Sequence, residues 1–254
     1  MFEMQTLNSA KRPDYSTVEA PINHLGIIMD GNRRFAQKLM LQPWKGHEWG
    51  EKKVEEVLDW CKEFGIRTVT LYTLSLENIR GRPKLELDYL YKLMERVVNG
   101  VLRNKKHFVH KNRVRVRIIG RTSFIPPKLR KLLAKVESVT KNYENSEANF
   151  AIAYSSRAEI IDAVRRIAEL VKDGKIDAAK IDESVIKENL YNPDMADPDL
   201  IIRTGGEKRL SNFLMFQSAY SELFFTDTTW PEFSRSEFAK AINDFNQRKR
   251  RFGA

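Results

Sequence analysis

Short apolar runs alternate with longer segments of helical periodicity along most of this chain. Four apolar runs predict buried strands, at residues 25–29, 68–75, 114–119 and 150–154. Two shorter runs predict further strands near the end of the chain, at residues 200–202 and 223–225. Between the strands, apolar residues that recur every three or four positions predict helices over residues 48–64, 85–109, 127–143 and 157–172.

The order of these elements predicts the class of fold. A last helix follows Ser234, because a serine three residues before Glu237 has the spacing of a capping box. Strands that alternate with helices are typical of a mostly parallel central sheet covered by helices. We therefore expect an α/β fold in a single domain over residues 21–254, preceded by a mobile polar leader at residues 1–20.

The first candidate for chemistry is the polar cluster that follows the first strand. It places a carboxylate, a glycine, an amide and two guanidinium groups in a row, from Asp30 through Gly31, Asn32 and Arg33 to Arg34. Arginine binds phosphate oxygens with paired donors, and an aspartate oxygen can bind a hard cation. Composition alone also allows a plain turn with a solvated basic face.

Two further polar clusters follow later strands. The second strand is followed by a cluster that comprises Ser75, Asn78 and Arg82. These side chains could bind a ligand or cap the helix that begins near Pro83. After the strand at residues 200–202, the segment 203–212 contains two glycines between cationic side chains, which is the composition of an anion-binding turn. In a parallel sheet the carboxyl ends of the strands share one edge, so the three clusters should be considered together.

Composition limits the partners and the compartment. The 254 residues include 44 basic and 34 acidic side chains, a net charge of +10 that attracts phosphates, anionic lipids or nucleic acid. Nucleic acid is not expected, since its binders interleave stacking aromatics with their basic residues. The only cysteine, Cys61, permits no intrachain disulfide, which favours the cytoplasm. We find neither a signal peptide nor a membrane-spanning run, so the protein is expected to be cytoplasmic or peripheral at the membrane.

Several motifs together resemble one known family. The segments HLGIIMDGNRRFA, LYTLSLEN, IIRTGGEKRLSNFLMFQSAYSELFFTDTTWPEF and the closing RRFG resemble the cis-prenyltransferases, in the family's order and over residues 24–253. The resemblance implies that the protein joins isopentenyl diphosphate to an allylic prenyl diphosphate, with magnesium, and releases pyrophosphate. It also implies a homodimer and a transient membrane contact for release of the long-chain product.

The resemblance assigns roles to individual residues. It implies that Asp30 and Asn78 are catalytic, and that Asp30 and Glu222 hold magnesium. It implies substrate contacts for Gly31, Asn32, Arg33, Arg34, Phe35, His47, Ser75, Asn78, Arg82, Arg203, Arg209, Ser211 and Arg251. Of these, Arg203, Arg209 and Ser211 are assigned to isopentenyl diphosphate. The motif that starts at Arg251 is expected to reach across the dimer interface into the neighbouring site.

The growing chain requires a dry tunnel. Its expected walls are the apolar faces of the predicted helices over residues 48–64 and 85–109. Each added isoprene unit offers five carbons, worth about 4 kcal/mol of burial at about 0.8 kcal/mol per carbon. Long products are therefore expected to leave slowly.

Some positions depart from the family's pattern. Pro43 replaces an arginine, with Lys45 the nearest cation, and Ser155 and Ser156 replace two glycines at a strand-to-helix turn. These changes leave substrate length and fine geometry open. Two alternatives remain: prenyl transfer to another acceptor, a hydroxyl or an irregular condensation, and a non-catalytic partner subunit. The second is disfavoured because Asp30 is present, and a trans-prenyltransferase is excluded because no DDxxD motif occurs.

Overall fold

The computed structural model describes residues 22–248 and contains one parallel sheet. Six strands of this region form the sheet: β1 (His24–Ile28), β2 (Thr68–Ser75), β3 (Val114–Ile119), β4 (Ser146–Tyr154), β5 (Leu200–Arg203) and β6 (Glu222–Phe225). Their spatial order is β3-β4-β2-β1-β5-β6, and every neighbouring pair is parallel. The predicted α/β class is confirmed, while the predicted leader lies outside the described residues.

Helices connect the strands and cover the sheet. They are α1 (Asn32–Lys38), α2 (Gly46–Glu63), α3 (Leu76–Gly81), α4 (Lys84–Arg103), α5 (Phe108–Lys111), α6 (Pro127–Thr140), α7 (Ser156–Lys172), α8 (Glu183–Glu188) and α9 (Arg235–Gln247). The capping box predicted before α9 is present, with Ser234 and Glu237 bonded in both directions. None of the helices within residues 22–248 is long and apolar enough to cross a membrane.

The structure corrects the predicted elements in several places, and the helix predicted over residues 127–143 ends at Thr140. The long helix predicted over residues 85–109 ends at Arg103, because Asn104 is extended and its side chain accepts a hydrogen bond from the Lys106 backbone. The part of the first polar cluster from Asn32 onward forms α1 rather than a simple turn. Strand β4 begins four residues earlier than predicted, at Ser146, because it pairs with neighbours on both sides and so extends through polar positions.

Helices α1 and α2 pack unusually closely, and two glycines of α2 make this possible. A methyl group on Gly46 would lie 1.9 Å from the backbone oxygen of Asn32, and one on Gly50 would lie 2.3 Å from its Oδ1 atom. Trp230 closes the same region, since its indole nitrogen donates to the Gly50 carbonyl at 2.9 Å. The backbone of α1, which follows Asp30, is therefore held in place by contacts that no larger residue at these positions allows.

We expect Gly46→Ala to destabilise the fold by about 1–3 kcal/mol, the usual cost of overpacking a tight contact. The matched control is Gly100→Ala in α4, where a methyl group would meet nothing within 4 Å. This control should stabilise the protein by about 0.5–1 kcal/mol, because alanine is the better helix former. Urea unfolding monitored by circular dichroism measures both changes. Equal effects of the two substitutions would contradict the packing described for α1 and α2.

Candidate active site

Three neighbouring strands end at one edge of the sheet, and each of the three polar clusters follows one of them. Asp30 lies just beyond β1, Ser75 ends β2 and Arg203 ends β5. Strand β1 lies between the other two, with Ile28 level with Tyr72 on one side and with Arg203 on the other. The parallel pairing therefore brings the three clusters together, as expected for ligand sites in open parallel sheets.

The Asp30 carboxylate is the centre of the first cluster. Its Oδ2 atom accepts a hydrogen bond from Arg203 Nη2 at 2.8 Å, and its Oδ1 atom accepts one from the Gly31 backbone at 2.6 Å. The Arg34 guanidinium lies 3.3 Å from Oδ1. The Asp30 side chain is still 32% exposed, so a ligand can reach the carboxylate. Asp30 thus lies between two arginines at the opening of the sheet edge.

Arg203 is the buried cation of this cluster. Its side chain is only 5% exposed, and it donates to Ser211 Oγ at 2.7 Å and to the Arg209 carbonyl oxygen. Its Nε atom is buried and has no hydrogen-bond partner within the described residues. The guanidinium is therefore fixed in direction before any substrate binds, with Asp30 supplying its balancing charge.

The two glycines of the third cluster have a different role from the one that composition suggests. Their backbone N–H groups do not point to an open anion site, because Gly205 donates to the Thr228 carbonyl and Gly206 to the Thr226 carbonyl. Both glycines have positive φ angles, and a methyl group on Gly205 would lie 2.7 Å from Arg34 Nη2. They therefore allow Arg34 to pack against the loop, and the cations themselves remain as anion ligands.

A second group of charges lies at the start of α4. The buried Glu86 carboxylate is 3.1 Å from Arg82 Nη1 and 3.8 Å from Arg33 Nε. Arg82 also lies 3.4 Å from His47 Nε2, whereas Arg80 is exposed. This arrangement gives Arg82 fixed partners, while Arg80 also lines the cavity described below. Glu86 was missed by sequence reasoning, since an acidic residue in a first helical turn is commonly explained by the helix dipole.

The protonation of His47 follows from this environment. Burial, reinforced by the positive charges of Arg82 and Arg33, lowers the pKa of His47 from 6.5 to about 3. Burial also lowers the pKa of Arg82, which Glu86 partly offsets. His47 is therefore a neutral hydrogen-bonding group at neutral pH, and an anion bound beside Arg82 and Arg33 would raise its pKa.

The Ser75 cluster contains a helix cap as well as site residues. Ser75 Oγ accepts a hydrogen bond from the Asn78 backbone at 3.0 Å and so caps α3, not the later helix near Pro83. Asn212, the last residue of the third cluster and not among the assigned site residues, donates to Ser155 Oγ at 2.6 Å and to Glu77 at 2.8 Å. The sequence held one signal for Asn212, because asparagine tolerates the left-handed conformation that it adopts here, with a φ angle of 66°.

Two of the expected substrate contacts, Asn32 and Phe35, have surroundings that differ from those of the other expected site residues. Asn32 is buried and donates to the Met29 carbonyl at 3.0 Å, while its Oδ1 atom has no partner among the described residues. The Phe35 ring packs edge-on against Trp49, with ring centroids 5.7 Å apart, and it is not part of the cavity wall described below.

Glu222 is at the opposite edge of the sheet. It begins β6, level with Leu200 and therefore with Leu25, whereas Asp30 follows the far end of β1. At about 3.3 Å per residue, five residues separate the two carboxylates by about 17 Å along the strands. Glu222 instead forms an ion pair with Arg248. The two expected metal ligands are thus not brought together within one chain, and Arg251 lies outside the described residues.

A cavity of about 1700 Å³ begins at the charged edge, larger than the 300–1,000 Å³ of most small-molecule sites. The expected site residues that line it are Gly31, Asn32, Arg33, Arg34, His47, Ser75, Asn78, Arg82, Arg203, Arg209 and Ser211, together with Asp30. Its apolar wall comes from α2, α4, β3 and β4, and includes Val54, Leu58, Leu90, Leu93, Met94, Val97, Val98, Val101, Val116, Ile118, Phe150 and Ile152. One continuous cavity thus joins fixed cations to a hydrocarbon-like lining.

Comparison with known proteins identifies relatives of similar length. A family model described as putative undecaprenyl diphosphate synthase matches residues 28–253. A protein of Methanopyrus kandleri is 49% identical over 91% of this chain and 84% of its own length. A protein of Thermoplasma acidophilum is 47% identical over 91% of this chain and 88% of its own. Both are named tritrans,polycis-undecaprenyl-diphosphate synthase (geranylgeranyl-diphosphate specific).

Solved structures resemble the whole fold. Lavandulyl diphosphate synthase from Lavandula x intermedia, in complex with dimethylallyl diphosphate, has a TM-score of 0.86 at 29% identity. A probable undecaprenyl diphosphate synthase from Campylobacter jejuni has a TM-score of 0.75 at 35% identity. Each match covers 92% of this chain and 99% of the other. On the family match, the identities and the shared fold together, this chain belongs to the cis-prenyltransferase family typified by undecaprenyl diphosphate synthase.

Proposed function

We propose that this enzyme extends geranylgeranyl diphosphate by repeated cis-condensation with isopentenyl diphosphate, giving a long-chain polyprenyl diphosphate and pyrophosphate. The observation that carries the proposal is the continuity of the cavity, which joins a cluster of arginines to an extended apolar wall. A substrate with a diphosphate at one end and a hydrocarbon chain at the other matches both parts. The choice of starter follows the names of the two archaeal relatives.

The reaction needs its two diphosphates held apart and the leaving charge stabilised. Arg34, beside Asp30, would bind the allylic diphosphate, while Arg203, Arg209 and Ser211 would bind isopentenyl diphosphate. The isopentenyl double bond attacks the allylic carbon, pyrophosphate leaves, and a proton is lost from the new chain. Cations fixed toward the developing charge are usually the largest catalytic contribution. Asn78 and Arg82 would position the reacting ends from the α3 side.

Magnesium fits this site through few protein ligands. Among residues 22–248, no three His, Cys, Asp or Glu side chains converge as a ready metal site. Magnesium commonly uses one or two carboxylates plus substrate phosphates, and the partly exposed Asp30 offers one such carboxylate. When bound, the ion supplies positive charge that makes pyrophosphate a better leaving group. Asp30 would hold it, with the arginines on either side orienting the diphosphate.

An irregular condensation on the same fold is the second candidate. It is favoured by the similarity to lavandulyl diphosphate synthase, at a TM-score of 0.86. Chain elongation is preferred because the archaeal synthases are 47–49% identical and because the apolar part of the cavity offers room for a growing chain. Incubation with labelled isopentenyl diphosphate and C10, C15 or C20 starters, and in parallel with dimethylallyl diphosphate, with products sized by chromatography, separates the two. A single branched product from two five-carbon units would contradict elongation.

We further propose a homodimer in the cytoplasm, peripheral to the membrane. The buried single thiol of Cys61 fits a reducing compartment. Ile161 and Val164 on one face of α7 are 48% and 56% exposed, and Met215 beside this helix is 44% exposed. Met215 donates its backbone N–H to Ser156 in the first turn of α7, which keeps the loop on that face. Ile161 and Met215 also line the cavity, so a second copy seated there would border the active site.

The position of Glu222 supports sites shared between the two chains. Helix α9 carries the backbone away from the catalytic edge, and Arg248 at its end pairs with Glu222 on the opposite edge. The tail motif that starts at Arg251 follows three residues later in the sequence. We infer that Glu222 and Arg251 act on the partner's site, where Asp30 supplies the other carboxylate.

Removing the Asp30 carboxylate should abolish turnover without unfolding the protein. We expect Asp30→Asn and Asp30→Ala each to lower kcat by about a hundredfold or more, equivalent to about 2.7 kcal/mol of barrier. Asp30→Asn keeps an oxygen that can accept the Arg203 hydrogen bond, so the loss of activity in this variant reports on the negative charge alone. The control is Asp173→Asn, which removes the carboxylate of a surface ion pair with Lys175. Near-normal turnover of Asp30→Asn with magnesium would refute the assignment.

The neutral state of His47 can be tested by titration. Because its folded pKa of about 3 lies below the 6.5 of an exposed histidine, His47 favours the folded state above pH 6.5 and this contribution is lost as pH falls. In NMR spectra at pH 5, His47 should be neutral, and added pyrophosphate should raise its pKa by offsetting Arg82 and Arg33. The buried His24, at the opposite edge, should not respond. A pKa of His47 that pyrophosphate leaves unchanged would argue against an anion site there.

Mixed dimers test whether the sites are shared. Deleting residues 251–254 should lower activity strongly while the dimer persists. Pairing the truncated chain with an Asp30→Ala chain gives heterodimers in which one site carries both defects and the other carries neither. Partial activity should therefore return on mixing, measured as turnover after subunit exchange. Heterodimers that form but regain no activity, or a fully active truncated enzyme, would contradict shared sites.

A further inference from the structure

The connection between α1 and α2 exposes three consecutive apolar side chains. Leu39, Met40 and Leu41 are 48%, 97% and 40% exposed, and every residue from 37 to 42 is classed as exposed. We call residues 37–42, the last two residues of α1 and the turn after it, the apical loop. Scattered apolar residues are normal on protein surfaces, but three exposed apolar residues in succession form a patch that can mark an interaction site.

The backbone holds this tip outward at an energetic cost. The Leu41 N–H bonds to the Ala36 carbonyl and the Met40 N–H to the Gln37 carbonyl, which is the hydrogen-bond pattern of a Schellman helix end. Met40 occupies the left-handed position of that motif, with a φ angle of 54°, where glycine is the usual residue. A nearly fully exposed methionine in a conformation that favours glycine indicates that the side chain serves something other than folding.

The apical loop continues into a wider apolar and basic surface. Leu39 lies one helical turn beyond Phe35, whose ring contacts the 38% exposed Trp49 of α2. From residue 31 to residue 47 the chain has four basic residues and no acidic one. Two of them, Lys38 within the apical loop and Lys45 just after it, remain 60% and 44% exposed although each pairs with a glutamate. Apolar side chains between exposed cations match an anionic lipid surface.

The loop also borders the cavity mouth. Gln37, its first residue, lines the cavity together with Asp30 and Arg34. We propose that the apical loop inserts into an anionic lipid bilayer and so places the mouth of the cavity against the membrane. This inference rests on the proposed function in one respect, namely that the product carries a long hydrocarbon chain. Each isoprene unit would then pass between cavity and bilayer without exposing its carbons to water.

The size of the loop favours a bilayer over a second protein. A stable protein interface commonly buries about 800 Å² per partner from about 20–30 residues. The apical loop offers six exposed residues, far fewer than such an interface uses. Three apolar side chains with flanking cations are instead enough for weak, reversible membrane contact.

Vesicle flotation without substrate tests the proposal. Wild-type protein should float with vesicles of phosphatidylcholine and phosphatidylglycerol more than with phosphatidylcholine alone. Met40→Gly combined with Leu41→Ser should bind at least about tenfold more weakly, as expected for two apolar side chains no longer buried. Met40→Gly alone should not lower the unfolding midpoint, since glycine adopts the left-handed conformation freely. The matched control is Val139→Ser on α6, which is 43% exposed and should bind like wild type.

A site-specific label separates membrane insertion from other contacts. Because the only cysteine is buried, Met40→Cys and Val139→Cys can each carry one environment-sensitive fluorophore. The label at position 40 should shift to the blue on anionic vesicles, and the label at position 139 should not. Equal flotation of wild type and the double variant, or no shift at position 40, would overturn the proposal. Self-association without vesicles that Met40→Gly abolishes would also overturn it, by assigning the loop to a protein contact. The double variant should turn over a short starter in detergent as fast as wild type, which shows that its active site is intact.

Discussion

The active site depends on the parallel pairing of β1 with β2 on one side and β5 on the other. All three strands point the same way, so the segments that follow them share one edge of the sheet. Residues separated by up to 173 positions, such as Asp30 and Arg203, therefore approach within 2.8 Å. The close packing of α1 on α2 at Gly46 and Gly50 then fixes the backbone that follows Asp30. A single topological constraint thus defines where chemistry is possible.

The site concentrates positive charge and compensates it only in part. Asp30 pairs with Arg203 and Arg34, and the buried Glu86 pairs with Arg82 and Arg33, so two carboxylates face four guanidinium groups. Burying cations in this way would be costly without carboxylates nearby, and these pairs keep the guanidinium groups directed before substrate arrives. A diphosphate that enters meets donors already in position, which is the condition for stabilising charge that develops during the reaction.

Much of the site could be predicted from the sequence because its chemistry resides in local segments. The carboxylate, glycine and arginines beginning at Asp30 are adjacent in the chain and follow a clear apolar strand. Glu86 could not be predicted, because its partners Arg82 and Arg33 come from different elements and its own position resembles an ordinary helix start. The role of Gly205 was also hidden, since only the fold shows that its N–H is already bonded and that Arg34 packs against it.

The sequence by itself determined the six strands and the five longer helices of the described region, and which residue types are available at each strand end. It could do so because apolar periodicity and turn chemistry are local properties. Only the tertiary structure decided which strand ends meet, because the order β3-β4-β2-β1-β5-β6 is set by long-range packing. That order placed Asp30 beside Arg203 and left Glu222 at the opposite edge, paired with Arg248. Because Glu222 stands at the start of its strand and not at its end, its carboxylate lies away from the site of its own chain.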